Sequence, residues 1–171
     1  GGYDQFEYNG DFNFSTLIAP NTKYSNLNFV PFQPQDPNTP DNDFYRLPVR
    51  QGLYYTCETL DLSQGTDTNI IVYSQANFDS GITGNDNISE EEFQRGNFAS
   101  RVSWLAGYTG YAYIVVGQVI PPKSNEAAGR TYALQCTIGL PNTPTPIASP
   151  TPQFSPTPLV PPTPVPIPLP C

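Results

Sequence analysis

The stretch Asp67-Thr68-Asn69-Ile70-Ile71-Val72-Tyr73 ends in a short apolar run rich in β-branched side chains. A run of this length is too short for a core helix and reads as a buried strand. A polar loop with Gly81 and Gly84 closes it. Working outward, the same grammar recurs on both sides. Upstream, Tyr45, Leu47 and Val49 alternate with Phe44, Arg46 and Pro48. Gln51-Gly52 is a turn, 53–60 the next strand and Ser63-Gln64-Gly65 a second turn. Downstream, Phe98, Val102 and Trp104 share one face. Gly107 and Gly110 bracket a turn into Tyr111-Ala112-Tyr113-Ile114-Val115-Val116, and 131–138 is the final strand. An earlier strand is expected at Leu27-Asn28-Phe29-Val30, followed by a loop that Pro31, Pro34, Pro37 and Pro40 keep extended. Glu90-Glu91-Glu92-Phe93 has room for one helical turn, and no long amphipathic helix is present. Short strands at spacings of roughly 10–20 residues imply an all-β, antiparallel sandwich. Pro48, which lacks an N–H, suits an edge strand.

Residues 141–171 are a different material. They hold 13 of the 21 prolines and carry neither charge nor glycine. Proline fixes φ and removes the backbone donor, so an extended polyproline II tail is expected, with a reach of roughly 95 Å. All 22 charged residues, and the whole net charge of −8, therefore belong to residues 1–140. Thr143, Thr145, Ser149, Thr151, Ser155, Thr157 and Thr163 stand beside prolines, as in O-glycosylated stalks. Val165, Ile167 and Leu169 alternate with prolines and are apolar, which a purely solvated linker does not need. These three are the expected docking residues of the tail.

Composition excludes several classes. Histidine is absent, which removes Ser-His and Cys-His catalysis and His-ligated zinc. Two lysines and five arginines against 15 acids leave no basic stripe for nucleic acid. No run approaches the 18 or so apolar residues of a membrane span. Among the acids no pair stands out for glycoside chemistry, so no enzyme activity is expected. Methionine is absent and the chain starts at Gly1-Gly2, as a processed product or fragment would.

The cysteines are Cys57, Cys136 and Cys171, with no C-x-x-C pair. With period 2, Leu53, Tyr55 and Cys57 share a face, as do Tyr132, Leu134, Cys136 and Ile138. Both inner thiols then point inward, as a disulfide between the two strands or as buried free thiols. The extracellular composition favours the disulfide. Cys171 is left over, for an intermolecular link or as the result of where the chain was cut. Asn13-Phe14-Ser15 and Asn87-Ile88-Ser89 match N-glycosylation sequons, and Tyr108, Tyr111 and Tyr113 offer rings for stacking on sugars or prolines.

Taken in order, Asp41-Asn42-Asp43-Phe44-Tyr45, Gly52-Leu53-Tyr54-Tyr55-Thr56, the 67–73 stretch, Gly84-Asn85-Asp86-Asn87, Ser100-Arg101-Val102, Gly110–Val116 and Thr131-Tyr132-Ala133-Leu134 form a series. This series resembles the bacterial pre-peptidase C-terminal (PPC) domain family over about residues 7–138. Ser74 and Asn87 stand where that family often has Asp, and Cys57 and Cys136 are not general features of it. The resemblance implies a jelly-roll-like β-sandwich over 1–140 and a non-catalytic module secreted to the cell surface. Some relatives bind calcium, so the resemblance also makes calcium the candidate cofactor, with Asp41, Asp43, Asp67, Asn85, Asp86 and Asn87 as candidate oxygen donors and the site expected at Asp67, Asp86 and the loop oxygens near them. The same Asp and Asn residues serve equally as turn formers. The expected role is a structural subunit of an extracellular assembly, its tail docking on copies of itself. The rival is an accessory module on a glycosylated stalk that binds polysaccharide or matrix protein.

Overall fold

The computed structural model describes residues 3–30, 41–119 and 129–139. The chain divides into a unit Gly1–Pro141 and a unit Asn142–Cys171. The tail, with its glycosylation candidates, Cys171 and the Val165, Ile167 and Leu169 docking residues, lies outside the described residues.

The first unit is an antiparallel, jelly-roll-like β-sandwich. Its strands are β1 Thr16–Leu17, β2 Thr22–Asn28, β3 Asp43–Val49, β4 Tyr54–Leu60, β5 Thr68–Tyr73, β6 Gly81–Asn85, β7 Arg101–Leu105, β8 Gly110–Gln118 and β9 Thr131–Ile138. One sheet has the order β1-β3-β8-β5-β6 and the other β2-β9-β4-β7. The only parallel pairing among the described strands is that of β1 with β3. The one α-helix described, α1, spans Glu90–Gln94.

Period-2 alternation places the core. Tyr45, Leu47, Val49, Ile70, Val72, Ala112, Ile114 and Val116 face inward from the first sheet. Leu27, Tyr55, Cys57, Val102, Trp104, Tyr132, Leu134 and Cys136 meet them from the second. Burying these alternate faces is the main driving force for the fold. Cys57 and Cys136 are direct cross-strand partners on β4 and β9 and form the expected disulfide.

Three differences from expectation have physical reasons. Gly81 and Gly84 do not only make a loop: 81–85 pairs with β5 as an edge strand. Gly84 lets it lie close over Ile71, where an added Cβ would crowd Ile70 and Ile71. The strand expected at 27–30 runs instead over Thr22–Asn28, its polar first half held by pairing with β9. Pro48 is not on a sheet-edge strand, because β1 lies outside β3. Yet β1 pairs only with Tyr45 and Arg46, so Pro48 sits beyond its end, where no donor is required.

Candidate functional site: an acidic sheet end and an aromatic outer face

Two features of the first sheet depart from a plain sandwich. The first is at one end. Strand register brings the start of β3, the end of β8, the start of β5 and the end of β6 side by side, since Asp43 pairs with Val116, Thr68 with Gln118 and Ile70 with Asn85. Asp41, Asp43, Asp67, Asp86 and Asn87 therefore all collect at this end. Gly117 lies between Asn42 and Asn69, whose side-chain oxygens occupy the space a Cβ would need.

The N-terminal segment closes over the β3 side of this end. Asp4 accepts from the Phe6 N–H at 2.7 Å and from the Asn28 N–H at 2.7 Å, and the Phe44 N–H donates to the Asn9 carbonyl at 2.8 Å. Asp43 is buried, and its Oδ2 accepts from Tyr132 at 2.6 Å. With its amide turned so that the nitrogen faces Asp43, Asn9 donates to Asp43 Oδ1 at 3.1 Å and to the Phe6 carbonyl at 3.1 Å. The Tyr132 and Tyr45 hydroxyls lie 2.7 Å apart. Each Asp43 oxygen thus has a protein partner, whereas Asp41 Oδ2 is buried without a hydrogen-bond partner among the described residues.

The electrostatics follow from burial and crowding. Burial, then the Asp4 charge, raises Glu7 to about 7 and Asp41 to about 6. Burial and the Asp41 charge hold Asp43 well above the usual carboxylate range. Across the sheet, burial and then Asp86 raise Asp67. The six acidic and amide residues named from the sequence thus fall into two places, Asp41 with Asp43 and Asp67 with Asn85, Asp86 and Asn87. Asn87 donates to Asp86 at 3.1 Å. Among the described residues no group of three or more His, Cys, Asp or Glu is arranged to hold a metal ion. Asp4 and Glu7, which join Asp41 and Asp43, were not legible in the sequence as members of this site.

The second feature is the outer face of the same sheet. In a sandwich this face is usually polar. Here Phe44, Tyr73 and Val115 form a second apolar cluster, with Phe12, Ile71 and Tyr113 packed against it. Phe12 sits at its centre, 4.9 Å from Phe44, 4.9 Å from Phe78, 5.4 Å from Tyr73 and 5.7 Å from Tyr113, all edge-on. Short 3-10 turns at Phe12–Phe14 and Phe78–Ser80 carry the covering rings. The side chains of Asp11 and Asn77 cap these turns. Phe78 remains 68% exposed and Phe14 67%.

Farther along this face Arg46 lies over the Tyr111 ring at 6.0 Å. Tyr111, 47% exposed, pairs across the strands with Pro48. The Pro48–Tyr111 row borders an apolar groove of about 540 Å³, whose other walls include Pro20, Leu53, Tyr55 and Ile138. The three tyrosines singled out from the sequence are not one patch: Tyr111 and Tyr113 belong to this face, while Tyr108 packs against the main core.

Comparison with protein-family models finds no match, and comparison with curated proteins finds none either. Several solved structures are similar in fold, among them the following three. The pre-peptidase C-terminal domain of collagenase from Bacillus anthracis shares 13% identity over 72% of this chain and 94% of its own, with a TM-score of 0.49. CorA, a surface-associated copper-binding protein of Methylomicrobium album BG8, shares 9% over 73% and 98%, at 0.44. PliG, a periplasmic inhibitor of g-type lysozyme from Aeromonas hydrophila, shares 14% over 72% and 96%, at 0.38. Such low identities transfer no ligand and no residue role. The first of the three comes from the family that the ordered strand motifs resemble.

Proposed function

We propose that this chain is a non-catalytic, secreted structural module that assembles with copies of itself through its proline-rich tail. The observations that carry the reading are the exposed aromatic rings on the outer face of the first sheet, in place of the usual polar surface, and beside them an apolar groove at the end of the sandwich, lined from both sheets. Aromatic-lined surfaces are the complement of pre-extended proline-rich segments. The tail is the uncharged part of a chain whose other 140 residues carry all the charge. The disulfide between Cys57 and Cys136 supports an oxidising, extracellular location. No helix among the described residues is long and apolar enough to cross a membrane.

The experiment is truncation after Leu140. The full chain should self-associate with rising concentration in analytical ultracentrifugation, and the shortened chain should remain a monomer with an unchanged melt. A shortened chain that assembles like the parent removes the reading and favours the stalk-borne accessory module, in which Phe78 and Tyr111 would stack on polysaccharide.

A second reading concerns calcium, and its support is the partnerless Asp41 Oδ2 beside the Asp4 and Glu7 charges. A hard cation there would satisfy that oxygen and relieve the repulsion. Calcium should then raise the melting temperature above its value in chelator at pH 8, because a ligand that favours the native state adds apparent stability. Identical melts would exclude it.

A further inference from the structure

We infer that the groove between Pro48, Tyr111, Leu53 and Ile138 is the receptor for residues 163–170 of a second copy of this chain. The inference rests on the tail-mediated assembly proposed above and names the surfaces that meet.

The groove has the right chemistry. Its volume of about 540 Å³ lies within the roughly 300–1,000 Å³ usual for ligand sites. Its walls are two prolines, two tyrosines, a valine, a leucine, an isoleucine and a glycine, with Arg50 and Thr109 as the polar members and no carboxylate. Tyr55 is buried, held by the Arg50 N–H donating to its hydroxyl at 2.9 Å and by stacking on Trp104. That side of the groove is therefore pre-formed and costs little to order on binding.

The occupant follows from composition. Thr163-Pro164-Val165-Pro166-Ile167-Pro168-Leu169-Pro170 is uncharged, and apolar from 164 onward. It presents apolar side chains whichever way it rotates about its axis. Its alternate residues are prolines, so half of its backbone lacks an N–H and no strand can be built on both its edges. Extended chain of this kind leaves its carbonyls free, and Arg50 and Thr109 supply donors for them. Contact between two folded units, each part of a chain of net charge −8, is opposed by like charge. The neutral tail is not. Because each copy has one groove and one tail, the contact is head to tail and grows into open chains unless a ring closes it.

Complementation tests this, with Cys171→Ser in every protein so that no cross-link contributes. Leu53→Asp and, separately, Tyr111→Ser alter exposed groove residues, and a triple Val165→Asp, Ile167→Asp, Leu169→Asp variant spoils the tail. Each variant with the parental melt should self-associate at least about tenfold more weakly, and an equimolar mixture of a groove variant with the tail variant should give dimers that grow no further. In that mixture only one intact groove meets one intact tail. Groove variants that melt and assemble like the parent overturn the inference. So does a mixture that stays monomeric, or a full chain that is monomeric at every concentration because it binds its own tail. Truncation after Leu140 keeps the two readings apart: if truncation abolishes assembly and groove variants do not, the tail docks elsewhere.

Discussion

At the scale of single residues, Glu7 and Asp41 are held out of their normal range by the burial that fixes the N-terminal segment. The sign of the consequence is set. A carboxyl whose folded value is raised contributes stability that is complete below its unfolded value near 4 and is lost as pH rises through the folded value. For Asp41 that loss runs from about 4 to about 6 and for Glu7 from about 4.5 to about 7. In chelator at pH 8, Asp41→Asn should therefore stabilise by about 1–2 kcal/mol, and Glu7→Gln by about 1 kcal/mol after allowance for screening at its more exposed position. At pH 3.5, below both unfolded values, both should be close to neutral. Urea melts at the two pH values check this, and an Asp41→Asn variant less stable than the parent at pH 8 would falsify the account. Asp41 and Asp43 could be read from the sequence because they open a strand with a recognisable pattern. Asp4 and Glu7 could not. They meet Asp41 and Asp43 only after the N-terminal segment folds across β2 and β3, and no local periodicity encodes a contact spanning more than thirty residues.

At the scale of elements, β4 and β9 carry the disulfide. Its parity was legible because period-2 alternation assigns each residue of a strand to one face, and Tyr55, Cys57, Leu134 and Cys136 all obey it. What parity left open was whether the two strands are neighbours. The register answers that, with Cys57 directly opposite Cys136. Their separation is 79 residues. Replacing both cysteines by Ala should cost about 2–4 kcal/mol, through the loop entropy released in the unfolded chain and the cavity left between β4 and β9. Chemical denaturation of the double variant measures this, and a cost below about 1 kcal/mol would show the bond to be incidental to stability. The outer edges were less legible than the core strands. β1 has two residues and β6 contains two glycines, so neither carries the apolar alternation that marks a strand. Both are made by pairing to a neighbour already in place, a tertiary cause that local sequence does not display.

At the scale of the whole molecule, the asymmetry that matters is between an acidic folded unit and a neutral tail. The sandwich could be read from the order of its strands, and the tail from its prolines. The aromatic outer face could not, because Phe12 and Phe78 come from short turns far apart in sequence and converge only on the finished sheet. Assembly through tail and groove joins apolar surfaces while bringing like-charged bodies together. Salt screens the repulsion, shortening its range from about 30 Å at 0.01 M to about 8 Å at physiological ionic strength, and leaves apolar burial intact. Self-association of the full chain should therefore strengthen as sodium chloride rises from low to physiological concentration at pH 7.5. It should strengthen less at pH 5, where the raised carboxyls Glu7 and Asp41 have taken up protons and the unit is less negative. An interface built on ion pairs would show the reverse, weakening with salt at both pH values. Sedimentation equilibrium across the salt series separates the two, and a dissociation constant that rises with salt would mean that the copies are held together by charged groups of the folded units instead of by the tail.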